Sequence, residues 1–270
     1  MRSAKYFEGA AMRIIVTVAA AFSMFSAIPV PSIGSGQDRG EKEKMRYFLL
    51  AFPLVGVFIG LTSCAALYIC LKLNIPDILR GMILTIIPVL ITGGIHLDGY
   101  ADTCDALASL GDVEKKHRIL KDPHIGTFAV IRLCVYFIIS FSIWCVLREY
   151  SFIKITLMYT VSRVLSGLSV VSFPVYKDTG LVHVFSETAE KKIVRRILIA
   201  FDILMVTGFV LQGFSGVVMA AVSHVIFILY YRICVARFGG VSGDLCGWFL
   251  CKCEVWMLIA LEASAFINSV

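Results

Sequence analysis

Apolar and polar stretches alternate along this chain at a spacing that matches a lipid bilayer. Residues 47–71, 126–147, 155–172, 197–211, 217–235 and 247–267 are predominantly apolar runs, the last interrupted by Lys252, Glu254 and Glu262. A helix that crosses hydrocarbon needs about 20 such residues, so each run predicts a membrane helix. The runs at 197–211 and 217–235 read as a tight helical hairpin. Residues 81–93 are apolar but short and contain Pro88; they span only with Ile75 and Ile78 included. A broken membrane segment is tolerated only beside protein or water, so this one marks a place where loop chemistry can sit at membrane depth. Residues 14–30 are apolar, follow Arg2, Lys5 and Arg13, and end at Pro29 and Pro31. No small-residue cleavage site precedes the prolines, so residues 1–30 read as an interfacial or membrane helix rather than a clear signal peptide. The pattern predicts an all-α fold, a polytopic integral membrane helical bundle of about seven spans plus that N-terminal helix. Residues 31–270 then form one membrane domain, with polar loops at 94–125, 173–195 and 236–246.

Composition supports this reading. Hydrophobic residues make up 59% of the 270 residues and charged residues 16%, with a mean hydropathy of +0.85. A soluble domain carries more charge than that. Membrane lipid is therefore an expected partner. The nine cysteines mostly fall inside apolar runs, where a thiol behaves as a small hydrophobe. Cys251 and Cys253, with Cys246 nearby, lack the second pair that a zinc site needs.

Charge orients the bundle. Loops 31–46, 94–125 and 173–195 each hold four Lys or Arg, connections 72–80 and 148–154 hold two each, and 212–216 holds none. The positive-inside rule puts the rich set in the cytoplasm, on the face shared by loops 94–125, 173–195 and 236–246. The protein is thus expected in the inner (cytoplasmic) membrane, multi-pass, with any active site facing the cytoplasm. The net charge of +6 follows from the same loops, and no nucleic-acid partner is expected. A homo-oligomer is compatible with everything in the sequence.

The central polar stretch reads Gly93-Gly94-Ile95-His96-Leu97-Asp98-Gly99-Tyr100-Ala101-Asp102-Thr103-Cys104-Asp105. If helical from Asp98, the three carboxylates lie at i, i+4 and i+7, on one face. As a bland acidic helix cap, two would suffice. Three together repel one another unless a cation sits among them, and a divalent metal does that best. Mg²⁺ takes oxygen ligands, keeps waters and binds substrate phosphates, so this cluster suits phosphoryl transfer. His96 can serve as ligand, proton carrier or hydrogen-bonding wall. Downstream, Arg118 and Lys121 can hold diphosphate oxygens, and Asp122 can add a carboxylate to the metal site. Lys115 and Lys116 need no role beyond marking the cytoplasmic side.

Three further features bear on the site. Arg163 lies inside an apolar run, where a cation is costly and needs a carboxylate or a bound phosphate. In loop 173–195, Phe185 can offer an apolar surface to a flat ring, or simply pack the loop. In loop 236–246, Gly239, Gly240, Gly243 and Asp244 form a glycine-rich turn before the last helix. Such turns can present N–H groups to phosphate, while Asp244 can instead cap the helix. Glu254 points back toward the same face.

These residues resemble the cobalamin synthase (adenosylcobinamide-GDP ribazoletransferase) family. The resemblance rests on Gly93-Gly94, His96, Asp98-Gly99, Ala101-Asp102 and Asp105, then on Ile119-Leu120-Lys121-Asp122 and Ile125-Gly126-Thr127-Phe128. Ala27-Ile28-Pro29-Val30-Pro31 and the turn Gly239, Gly240, Gly243, Asp244 match an early and a late element, so it covers nearly the whole chain. Departures are Tyr100, Cys104, Pro123-His124 and Cys251, the last standing where the family usually has an acidic residue three before Glu254. The resemblance implies an enzyme of the Mg²⁺-dependent phosphotransferase type (class 2.7.8). It would transfer the adenosylcobinamide-phosphate group from adenosylcobinamide-GDP to α-ribazole or α-ribazole 5′-phosphate, giving adenosylcobalamin (or its 5′-phosphate) and GMP. In that chemistry Asp98, Asp102 and Asp105, joined by Asp122, would hold Mg²⁺ on the diphosphate. One of the first three, or His96, would take the hydroxyl proton. Lys121 and Arg163 would offset charge on the transferred group, with Arg118, Gly239, Gly240 and Asp244 as further substrate contacts. A phospholipid headgroup transferase also clusters Asp at helical spacing, but its pattern expects Arg where Asp102 stands. A transporter would show charges deep in several spans and a repeat between halves.

Overall fold

The computed structural model describes residues 2–30, 46–176 and 181–269. Most of the basic loop 31–46, along with Pro31 and Gly180, lies outside the described residues. Among the described residues the architecture is helical, with one isolated bridge and no named strand. In chain order the helices are α1 (Arg2–Phe25), α2 (Phe48–Lys72), α3 (Asp77–Thr92), α4 (Ile95–Ala108), α5 (Val113–Ile119) and α6 (Thr127–Val146). Then follow α7 (Phe152–Ser172), α8 (Leu181–Thr188), α9 (Lys191–Val210), α10 (Phe214–Phe238) and α11 (Gly243–Ser269).

Helices α2, α6, α7 and α10 are long and apolar enough to cross a bilayer, and the bent pair α3–α4 makes a fifth if counted as one broken span. This multi-pass bundle has fewer qualifying spans than the about seven that hydropathy predicts. The reason is charge. Helix α9 carries Lys191, Lys192, Arg195, Arg196 and Asp202 in 20 residues, and α11 carries Asp244, Lys252, Glu254 and Glu262 in 27. Both helices form where the apolar runs predict them and are long enough, but each carries more charge than α2, α6, α7 or α10.

The surface explains the all-round apolarity of the spans. On α6 only 17% of the span is buried, and Ile131, Val135 and Ile138 face outward. In water such a surface would drive aggregation; in lipid it is the solvent-facing side. Helix α7 is the opposite case. It is 78% buried and packs against α2, α9 and α11. Its contact with α2 is close because α2 presents Gly56 and Gly60, four residues apart. A Cβ on Gly56 would meet the Tyr159 carbonyl oxygen at 2.3 Å, and one on Gly60 would meet Thr156 Cα at 2.6 Å. Small residues at this spacing let membrane helices pack backbone to backbone, where apolar burial contributes little because lipid is equally apolar.

The break between α3 and α4 positions the polar region. Gly93 (φ 64°) and Gly94 (φ 80°) both sit in the left-handed region, which costs a side-chain-bearing residue about 1–2 kcal/mol. Two in succession turn the chain by 95° between the helices. Helix α4 therefore turns away from α3 at about a right angle and packs against α6 and α11. The N-terminal strap holds this corner, with the Ala27 N–H donating to the Ile91 carbonyl at 2.8 Å.

Candidate active site

Helix α4 carries His96, Asp98, Asp102 and Asp105, and α11 crosses it at glycine contacts. A Cβ on Gly99 would lie 2.7 Å from Asp244 Cα, and one on Gly247 would lie 2.9 Å from the His96 carbonyl oxygen. Neither backbone can yield cheaply, so the two glycines set the crossing distance. That crossing brings Asp244, from the first turn of α11, up to the carboxylate face of α4. Asp244 does not cap α11; Ser242 does, its Oγ accepting from the Leu245 N–H at 3.4 Å and its carbonyl from the Cys246 N–H at 3.1 Å.

Partial burial, then Asp98, Asp244 and Asp105 in that order, push the Asp102 carboxyl up to about 6 from an ordinary 3.8. Burial and Asp98 likewise raise Asp244. Asp105 is anchored from its other side. Its Oδ1 accepts from the Ala129 N–H at 2.8 Å, so it caps the N-terminus of α6, where the helix dipole favours an anion. Gly126 is required there, because a Cβ would fall 2.0 Å from Asp105 Oδ2. Asp122 stands apart: it is exposed and accepts from the His124 N–H at 3.0 Å, with its Oδ1 2.8 Å from His124 Nδ1. Those bonds hold its carboxyl below the usual range.

Beside the carboxylates opens a cleft of ≈ 750 Å³. Its walls come from three loops at once: Arg118 and Lys121 from the first, Tyr176 and His183 from the second, Ser242 and Asp244 from the third. The loops are joined by backbone. Val175 and Val241 form a parallel bridge, in which the Val241 N–H donates to the Pro174 carbonyl at 2.8 Å and the Tyr176 N–H to the Val241 carbonyl at 3.4 Å. Gly240 permits this, since a Cβ would lie 2.5 Å from the Tyr176 nitrogen. His117 stacks on Tyr176 at 3.3 Å between ring centroids, and its Nε2 lies 2.8 Å from the Phe238 carbonyl oxygen. Lys116, which sequence reasoning left to the bland role, is buried. Its Nζ donates to the Ser109 carbonyl at 3.1 Å and the Gly111 carbonyl at 2.5 Å, closing the turn before α5.

The structure separates Arg163 from the cleft. The guanidinium is 1% exposed and pairs with Glu254 of α11. Its Nη1 also donates to the Tyr159 carbonyl at 3.1 Å and to Ser162 Oγ at 2.9 Å, and Ser162 donates to Glu254 at 2.9 Å. Glu254 is the carboxylate partner that the sequence position of Arg163 calls for. Cys251 is buried, its thiol 3.5 Å from the His96 carbonyl oxygen.

The donor set suits a hard divalent cation, being all oxygen and acidic, with burial and then neighbouring carboxylates holding the Asp102 carboxyl near 6. Among the described residues no group of three or more His, Cys, Asp or Glu side chains is arranged to hold a metal ion. An open set is what Mg²⁺ uses when substrate phosphates and water complete its shell.

A sequence model described as cobalamin-5-phosphate synthase matches residues 17–262, most of the chain and every element of this site. The chain belongs to that family. Among curated relatives, an adenosylcobinamide-GDP ribazoletransferase of Lachnoclostridium phytofermentans is 41% identical over 89% of this chain and 91% of its own length. Proteins of the same name from Clostridium botulinum (strain Alaska E43) and Pseudomonas savastanoi pv. phaseolicola are 30% and 31% identical, over 86% and 81% of this chain and 91% and 89% of theirs. No solved structure matches. The family resemblance carried by the motif around Asp98–Asp105 is thereby borne out. Asp244, which the family resemblance implied as a substrate contact, lies against α4 in the fold.

Proposed function

We propose that this protein is an adenosylcobinamide-GDP ribazoletransferase that joins α-ribazole or its 5′-phosphate to adenosylcobinamide-phosphate and releases GMP. The observation that carries this reading is the crowded carboxylate face of α4 and α11, opening on a cleft whose rim holds Arg118 and Lys121. The family membership and the names of the relatives support the same reaction.

Asp98, Asp102 and Asp244 would hold Mg²⁺, with Asp105 tied to the start of α6 and Asp122 at the periphery. Bound there, Mg²⁺ supplies positive charge to the diphosphate oxygens of the donor. Arg118 and Lys121 hold the same diphosphate from the other side of the cleft, the first as a fork and the second as a mobile point charge. A ribose hydroxyl oxygen of ribazole forms a bond to the phosphorus on the cobinamide side. The anhydride P–O bond breaks, GMP departs with the electron pair, and a carboxylate of the cluster receives the hydroxyl proton. The corrinoid lies over the open cytoplasmic side of the cleft, in keeping with the Lys- and Arg-rich loops around it.

The test is direct. Protein in mild detergent is mixed with adenosylcobinamide-GDP and α-ribazole 5′-phosphate, with Mg²⁺ or with chelator. GMP and completed corrinoid are expected in equal amounts, dependent on Mg²⁺ and lost in Asp102→Asn. Folded, monodisperse protein that forms neither product would overturn the assignment.

A further inference from the structure

A second cavity adjoins the cleft and has a different character. It holds 180 Å³, is mostly apolar, and shares Val182, Gly243 and Asp244 with the polar cleft. Phe25 of α1, Phe52 of α2 and Phe185 of α8 line it, and Asp98 stands at its edge. These rings already form an aromatic cluster. Phe25 lies 4.2 Å from Phe52 and 6.5 Å from Phe185 between centroids, and Phe185 stacks on Phe48 at 4.8 Å. Gly167 and Gly247 also line it.

One polar group lies in this apolar lining without a partner. His96 lines the pocket, is 9% exposed, and packs at 6.4 Å from Phe25 and 6.2 Å from Phe52. Its Nε2 is buried and makes no hydrogen bond to the protein. A buried polar atom left unsatisfied is destabilising, and in native sites it commonly marks the position of a ligand or water. An acyl chain would fill the pocket but leave Nε2 unsatisfied. A flat aromatic ring bearing one nitrogen would stack on the phenylalanines, and a turn of the His96 ring would bring Nε2 onto that nitrogen.

Resting on the ribazoletransferase reading, we infer that this pocket seats the fused aromatic base of ribazole, ring nitrogen toward His96, with the ribose emerging at Asp98 and Asp244. The pocket has room for a two-ring base and none for a corrin macrocycle. It thus separates the two substrates: acceptor base in the apolar slot, donor diphosphate in the basic cleft. It also explains why an aromatic slot and an acidic face share one edge, since the attacking hydroxyl must lie next to the base and next to the carboxylates. His96 in this role is a positioning residue for the acceptor.

The experiment uses wild-type protein with a photoreactive azido-benzimidazole riboside, followed by peptide mass spectrometry, beside steady-state kinetics with both substrates. Labelling is expected within residues 166–170, 182–185 or 95–98, and to be competed by α-ribazole but not by ribose 5-phosphate. In His96→Ala the KM for ribazole should rise about tenfold, one lost hydrogen bond in a buried site, with the KM for the GDP donor unchanged. His96→Gln, which keeps a donor, should recover part of that loss. Val170→Trp, which fills the slot, should raise the ribazole KM further; where it fails to fold, the labelling pattern alone decides. Turnover with ribazole but labelling elsewhere would overturn the pocket and leave the transferase intact. A tightly held lipid that ribazole does not displace from the slot would overturn it too. Absence of both labelling and turnover would overturn the transferase reading itself.

Discussion

At the residue scale, charge placement separates stability from function. Asp102 holds its carboxyl at about 6 in the fold against an ordinary 3.8. A carboxyl raised in this way leaves the fold at full stability below pH 4 and destabilises it as pH climbs through 6. Asp102→Asn should therefore raise the thermal midpoint at pH 8 in chelator, reflecting a stability gain on the order of 1 kcal/mol after discounting for its solvent access. The advantage should vanish at pH 4 and shrink with saturating Mg²⁺. Differential scanning fluorimetry across pH checks this, and an unchanged midpoint at pH 8 would refute the crowding. Arg163 is the converse case. Glu254→Leu leaves a buried cation unpaired and should cost about 3–5 kcal/mol, while Arg163→Met with Glu254→Leu should recover most of it. Thermal melts of single and double variants decide. If the double variant regains stability but loses turnover, Arg163 acts on substrate as well as on Glu254.

At the element scale, glycines decide which helices meet. Gly56→Leu and Gly60→Leu would force α2 from α7 and should lower detergent-solubilised yield and thermal stability sharply. Gly99→Ala acts more selectively. It pushes Asp244 from the α4 carboxylates, so activity should fall by at least about tenfold while helix content by circular dichroism stays near wild type. The helices themselves were legible from apolar runs, and their ends agree to within a few residues for α2, α6 and α7. The double-glycine break before α4 was legible too, because Gly93 and Gly94 adjoin the short Pro88 segment. The α2–α7 contact is written only in Gly56 and Gly60, small residues at a four-residue spacing.

At the scale of the whole molecule, three loops distant in sequence close one cleft. A bridge between residues 175 and 241 and the stacking of His117 on Tyr176 hold them together. We propose that the cleft opens to the cytoplasm, the side that the Lys- and Arg-rich loops predict. Lys121→Cys should therefore react with a membrane-impermeant maleimide in inverted membrane vesicles and resist it in intact cells. The opposite pattern would reverse the orientation. Arg118→Glu should raise the KM for the GDP donor by about tenfold and steepen with falling salt, since an exposed charge is screened over about 10 Å at 0.1 M. A ribazole KM that stays fixed in the same variant would place the two substrates in separate halves of the site.

The chain's own order of residues determined its solvent, its helices and the acidic face of α4. Bilayer length and helical period are local properties, written in consecutive residues. It also made the family recognisable, because the motif from Gly93 to Asp105 is continuous. Pairings between distant residues were decided only by tertiary structure. Asp244 joins the α4 carboxylates because Gly99 and Gly247 let two helices cross closely. Arg163 goes to Glu254 because the bundle places them together and low polarity leaves a buried cation no cheaper partner. Asp105 turns to the start of α6, and Asp122 stays outside with His124. Spacing along one helix fixes which side chains share a face, whereas the group opposite that face depends on how whole helices pack.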